Sequence, residues 1–292
     1  MRLKEISARD FDLASTLDSG QVFHWKRTDR GFIGAIGAEP IYIEQSGEIL
    51  QFAGASEKLV RDYFALDHPL AEICASFPDD PVMSAARAFC RGLRIIRQPR
   101  WECLASFITS SMKQVAHIRQ MSHALRRNFG ERSEVQGYAV YTFPCAGRVA
   151  KRSEQDLRDC ALGYRAKNLL ATARLVSSGE ADLDAWSVLS DPDLRAKLCQ
   201  LPGVGAKVAN CVMLFGYERL RAFPIDVWIA RVLQQQYFPR KRKMTEKQMR
   251  DFATDYFGAH GGYAQQYLFH HARTTAREAR AARNFATGSA RE

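Results

Sequence analysis

The chain has 292 residues, 46% of them hydrophobic, enough for a substantial core and for two or three subdomains. Its 42 basic and 32 acidic side chains leave a formal net charge of +10 and a pI near 9.4, which favours a polyanionic partner over an acidic protein. Seven scattered cysteines without C-x-x-C spacing argue against a disulfide framework and a zinc site; with no signal-like start and no apolar run of membrane length, a reduced intracellular compartment without membrane association is expected.

From Phe11 to Phe52 the pattern is short and β-like. Runs of aromatic and β-branched residues at 21–25, 31–36 and 41–44 are broken by Thr28-Asp29-Arg30-Gly31 and Gln45-Ser46-Gly47-Glu48, which predicts an antiparallel meander. Helical spacing takes over at Ser56-Glu57-Lys58-Leu59-Val60, and residues 101–108 read as a buried helix. The expected fold class is α+β, a small N-terminal antiparallel sheet joined to a mainly helical body. The expected division is a sheet-plus-helices domain at 1–95, a central helical domain at 96–240, and basic C-terminal helices at 241–292 packing on that body.

Glycines dominate the next landmark, Leu201-Pro202-Gly203-Val204-Gly205-Ala206-Lys207-Val208-Ala209-Asn210-Cys211. Gly203 and Gly205 allow a tight turn that brings backbone N–H groups close to a partner, and the helix start behind them adds partial positive charge, a shape suited to phosphate. An ordinary connection between two helices has the same appearance. Lys207 falls in the first helical turn, where the dipole and burial both favour its neutral amine over the form that normally persists to pH ~10.4. A neutral amine can attack a sugar carbon and form a Schiff base. Asp226, in Pro224-Ile225-Asp226-Val227, precedes an apolar helical run and reads as its N-cap, with a carboxylate held ionised by backbone N–H bonds and able to stabilise a cationic sugar. A tight ion pair with Lys207 is not expected, because it would raise the lysine's pKa. Lys207, Cys211 and Phe215 share one helix face, as a pocket wall or as plain core packing.

Two segments are conspicuously basic. Pro239-Arg240-Lys241-Arg242-Lys243 leads into Thr245-Glu246-Lys247-Gln248, which has the form of a capping box; Arg273, Arg277, Arg280 and Arg283 fall near one face of a helix. Either could meet phosphates or be a solvated face.

Together with Ser19-Gly20-Gln21-Val22-Phe23-His24-Trp25, Gly163-Tyr164-Arg165-Ala166 and Tyr263-Ala264-Gln265-Gln266-Tyr267-Leu268-Phe269, the hairpin segment and Asp226 closely resemble the 8-oxoguanine DNA glycosylase/lyase family of the helix-hairpin-helix glycosylase superfamily. The likeness spans most of the chain. It implies a bifunctional glycosylase and AP lyase acting as a monomer on duplex DNA that contains oxidised guanine. Lys207 would be the nucleophile and Asp226 the carboxylate that steadies the sugar. Gly20 would offer its carbonyl to N7–H of 8-oxoguanine, where guanine itself presents an acceptor. Phe269 and Cys211 would sandwich the flipped base, Gln265 would read its Watson–Crick edge, and Phe215 and Pro224 would complete the pocket. Tyr164 would wedge into the duplex, Arg165 would address the orphaned cytosine, and Gly203 and Gly205 would hold the backbone. No cofactor is implied beyond a monovalent cation at the hairpin carbonyls. An iron–sulfur relative would need cysteines after Asp226, and none follows Cys211. The chain departs from the family at Met112 and His117, where an asparagine and an arginine would contact cytosine, and at Trp228, where a histidine commonly stands near phosphate. A weaker preference for cytosine opposite the lesion is expected.

Overall fold

The computed structural model describes residues 2–111, 113–240 and 243–288; Met112, Lys241 and Arg242 lie outside the described residues. Strands β1 (Lys4–Ser7), β2 (Lys26–Arg27), β3 (Gly31–Ile36), β4 (Glu39–Ser46) and β5 (Ile49–Ala53) form one antiparallel sheet in the order β1-β5-β4-β3-β2. In β3 and β4, Phe32, Ile36, Ile41 and Ile43 enter one core, whereas Ile33, Ala35 and Tyr42 enter a second. The second core lies under a hairpin of β6 (Arg132–Val135) and β7 (Tyr138–Tyr141), turned by Gln136 and Gly137 at positive φ.

The meander is present, but segment 21–25 is an irregular loop and its strand begins at Lys26. The reason is packing: Phe23 belongs to the helical core while Val22 and Trp25 belong to the sheet core, so these neighbours cannot follow a strand's alternation. Ahead of the loop, residues expected to be β-like form α1 (Leu13–Asp18), capped by the Asp12 carboxylate accepting from the Ser15 amide at 2.6 Å.

The helical body follows: α2 (Glu57–Tyr63), α3 (Leu70–Ala75), α4 (Pro81–Phe89), α5 (Arg100–Thr109), α6 (Val115–Phe129), α7 (Ala146–Ala150), α8 (Glu154–Leu157), α9 (Arg165–Ser178), α10 (Asp191–Cys199), α11 (Ala206–Gly216), α12 (Val227–Val232), α13 (Glu246–Phe257) and α14 (Gly261–Gly288). Ser56 caps α2 as its sequence suggests, and Thr245 with Gln248 forms the expected capping box on α13. Residues 102–109 of α5 are all buried. At the junction of sheet and body, Arg126 of α6 pairs with Glu102, and His24 Nδ1 stands 3.3 Å from the same carboxylate oxygen. No helix among the described residues is long and apolar enough to cross a membrane.

Candidate active site

The turn between α10 and α11 closes with the Val204 amide donating to the Leu201 carbonyl at 3.1 Å. Gly203 has φ +83°, and a Cβ there would fall 2.9 Å from Cβ of Asn168, so strain and crowding both demand glycine. Gly205 is different: its φ is −95° and nothing lies within 4 Å of an added Cβ. It is the N-cap of α11 and no side chain covers that helix end, which leaves the first amides open to an approaching anion.

Lys207 is the second residue of α11. Its Nζ lies 3.4 Å from the Ser110 hydroxyl and 5.2 Å from the centroid of the Phe107 ring. It has no ion pair with a carboxylate among the described residues. Below it the aromatic rings continue: Phe215 stacks on Phe107 with centroids 5.5 Å apart, and Phe23 meets Phe107 edge-on at 5.6 Å. Phe215 is thus buried beneath Phe107. One turn on from Lys207, Cys211 is buried; burial pushes its thiol up to about 11 against the pull of the lysine's charge, so it presents an uncharged sulfur.

Asp226 caps α12, accepting from the Ile229 amide at 2.9 Å, after a buried Pro224. Burial lifts its carboxyl above the ordinary 3.8, outweighing the Ile229 amide, the Lys207 charge and the Trp228 amide, all of which pull it down. The capping bonds do favour the ionised form, but burial decides the direction.

A second cluster gathers around Gly20, at φ +88° just after α1. Gln21 pins this loop: its amide nitrogen donates to the carbonyls of Thr16 (3.0 Å) and Arg94 (2.8 Å), its side-chain oxygen accepts from Ile96 (2.9 Å), and its own carbonyl accepts from Gln98 at 2.7 Å. The Gln98 amide in turn donates to the Phe215 carbonyl at 2.8 Å, tying the loop to the ring stack. From the other side α14 brings Gln265, Phe269 and Arg273, spaced four apart on one face. Gln265 is buried with an unpartnered Oε1, Phe269 Cε1 lies 3.1 Å from where a Gly20 Cβ would be, and Gln266 anchors the helix by donating to the Ser19 carbonyl at 3.1 Å. An orphaned buried acceptor one helical turn from an aromatic face suits a planar hydrogen-bonding ligand.

The remaining predicted residues lie around these clusters. Tyr164 is 57% exposed, lifted out by Ala161 and Gly163 at positive φ in the turn before α9. Arg165 is neither outward-facing nor a surface residue: it is buried under the Tyr164 ring and donates Nε to the Ser111 carbonyl at 2.8 Å, holding the segment that leads to Met112. His117 is exposed in the first turn of α6, and Trp228 is half-buried in α12 with Arg231 on its ring face. The sequence reading missed Phe107 as the ring beneath the lysine, although its helix was read as buried. It placed Arg273 in a basic stripe, whereas the residue turns inward.

Residues 4–104 match the model of the 8-oxoguanine DNA glycosylase N-terminal domain, and residues 105–255 match that of the HhH-GPD superfamily base excision DNA repair proteins. A probable N-glycosylase/DNA lyase of Methanothermobacter thermautotrophicus is 29% identical over 301 residues, covering 92% of this chain and 95% of its own length. Among solved structures, MBOgg1 in complex with a low-affinity DNA ligand superposes with a TM-score of 0.89 at 31% identity, over 94% of this chain and 100% of that one. The 8-oxoguanine glycosylase/lyase of Clostridium acetobutylicum, in complex with double-stranded DNA containing cytosine opposite 8-oxoguanine, gives 0.87 at 30%, over 94% and 99%. The chain therefore belongs to the 8-oxoguanine DNA glycosylase family within the helix-hairpin-helix base excision repair superfamily.

Proposed function

We infer that the protein is a bifunctional DNA glycosylase and AP lyase that removes 8-oxoguanine from duplex DNA. The observation that carries this reading is Lys207 itself: a lysine on the first turn of a helix, next to a hydroxyl and a ring rather than an ion-paired carboxylate, with a half-buried capping aspartate in electrostatic reach. In the reaction the neutral amine attacks C1′ as the bond to N9 breaks and the base leaves with its electron pair. Asp226 steadies the positive charge that builds on the sugar. The ring-opened product is a Schiff base, from which loss of a C2′ proton expels the 3′ phosphate and cuts the strand.

Gly20, Gln265, Phe269, Cys211, Phe215 and Pro224 are assigned to the base pocket, with the orphaned Gln265 Oε1 accepting from the base's Watson–Crick edge. Tyr164 is the wedge, and its exposure supports that role. Arg165 and Met112 bear on the opposite base, Arg165 through the Ser111 segment it holds. Gly203, Gly205 and Trp228 are assigned to the DNA backbone, and His117 to the opposite base. The protein would act as a monomer and need no cofactor, save a monovalent cation on the hairpin carbonyls. Borohydride trapping on an 8-oxoguanine duplex tests the mechanism. The wild type should give a covalent adduct, Lys207→Gln none, and Asp226→Asn a slow yield; an adduct persisting in Lys207→Gln would move the nucleophile elsewhere.

A further inference from the structure

Resting on the base pocket assigned above, one side chain in it has no part in the chemistry. The Arg273 guanidinium lies with Cζ 5.1 Å from the centroid of the Phe269 ring, and its Nη1 occupies the space 2.4 Å from where a Gly20 Cβ would be. It fills the space between Gly20 and the ring assigned to the face of the base. Its hold there is slight. Nη2 donates to the Asp18 carbonyl at 2.6 Å and stands 3.5 Å from His270 Nδ1, whereas Nη1 is buried with no partner. A guanidinium has no acceptor capacity and carries five donors, so a buried unsatisfied donor leaves it short of what water would supply.

Its charged surroundings do not compensate. Burial lowers Arg273 to about 10, the neighbouring Arg119 and Arg277 push the same way, and Asp18 and Asp226 only partly oppose them. The Asp18 carboxylate is already committed to Arg27 at 2.5 Å and Arg119 at 2.8 Å. A planar cation is therefore parked on an aromatic face with one of its donors unpaired.

We propose that Arg273 is a stopper of the base pocket: in the DNA-free enzyme its guanidinium fills the slot between Gly20 and Phe269, and an extruded base must displace it to enter. Displacing it has a cost that every entering base meets, so Arg273 weakens occupancy of the pocket by the same factor whatever the base. Phosphates on bound DNA give the freed guanidinium a partner, so DNA binding and pocket opening support each other.

Two measurements test it. Phenylglyoxal labels accessible arginine guanidinium groups, and peptide mapping reports the rate at Arg273. Adding free 8-oxoguanine to the wild-type protein should speed that labelling, because the base expels the side chain into solvent; protection on base binding would overturn the stopper and make Arg273 a ligand. Arg273→Ala should bind free 8-oxoguanine about tenfold more tightly, since the competing closed state is gone, and equal or weaker binding would overturn the proposal. The labelling requires no variant, so a misfolded Arg273→Ala leaves it decisive. A wild type unable to excise 8-oxoguanine from duplex DNA overturns the proposed function and this inference with it. Excision accompanied by protection of Arg273 overturns the inference alone.

Discussion

Lys207 rests on the face of Phe107, its Nζ 5.2 Å from the ring centroid. The ring belongs to α5, whose last turns are wholly buried, so the amine is placed by a rigid part of the core. Phe107→Leu keeps an apolar residue there and removes the π face. It should slow adduct formation in single-turnover trapping, because the amine loses the surface that positions it for attack. An unchanged rate would make the ring mere packing.

Gly20→Ala meets two obstacles, a left-handed backbone and a crowded site. With φ at +88° and Arg273 and Phe269 both within 3.1 Å of the new carbon, the loop must shift. A displacement near 1 Å is enough for a ~10²-fold fall in base excision. Strand cleavage at a preformed abasic site, which needs no base pocket, should fall far less. The ratio of the two rates is the measurement.

Stability should decline on mild acidification. Burial depresses His123 and His270 from 6.5 to about 4, so between those values the unfolded chain binds protons that the folded chain does not. Their contribution is complete above pH 6.5 and is lost progressively as pH falls toward 4. Melting temperatures from pH 7.5 to 5 should drop for the wild type, and His123→Gln with His270→Gln should flatten the curve. For activity, Asp226 places its ionisation above 3.8, and the acid limb of the excision rate should move with Asp226 substitutions.

Arg126 and Glu102 form a buried pair, with side chains 3% and 7% exposed. Glu102→Ala strands a guanidinium at the joint between sheet and helices, and urea unfolding should show a loss of ~3–5 kcal/mol. Glu102→Gln, which keeps an acceptor, should lose less.

The resemblance would place Met112 and His117 where the family has an asparagine and an arginine that contact cytosine. Installing them, as Met112→Asn with His117→Arg, should steepen the preference for cytosine opposite the lesion about tenfold, the scale of one good base contact. Equally steep discrimination in the wild type and the double variant would sink the idea of a relaxed reader.

Local rules made much of this legible. The glycine hairpin, the Asp226 cap, the helix from Ser56 and the Thr245 capping box all follow from short-range chemistry, and the structure has each of them. Segment 21–25 did not follow those rules, because its aromatic side chains divide between two cores that only the assembled fold creates. Arg273 was read in an outward basic stripe, and the burial of Arg165 was not foreseen, for a similar reason. An arginine's spacing on a helix says which face it shares, but not that a carbonyl such as Ser111 or Asp18 waits beneath that face.

The tie between Gln266 on α14 and the Ser19 carbonyl joins the two ends of the described chain. Its consequence is one of timing. During synthesis the hairpin, Lys207 and Asp226 emerge before α14, and the slot beside Gly20 has no wall until that helix docks. A chain stopped short of α14 would lack Gln265, Phe269 and Arg273, and with them one side of the space beside Gly20.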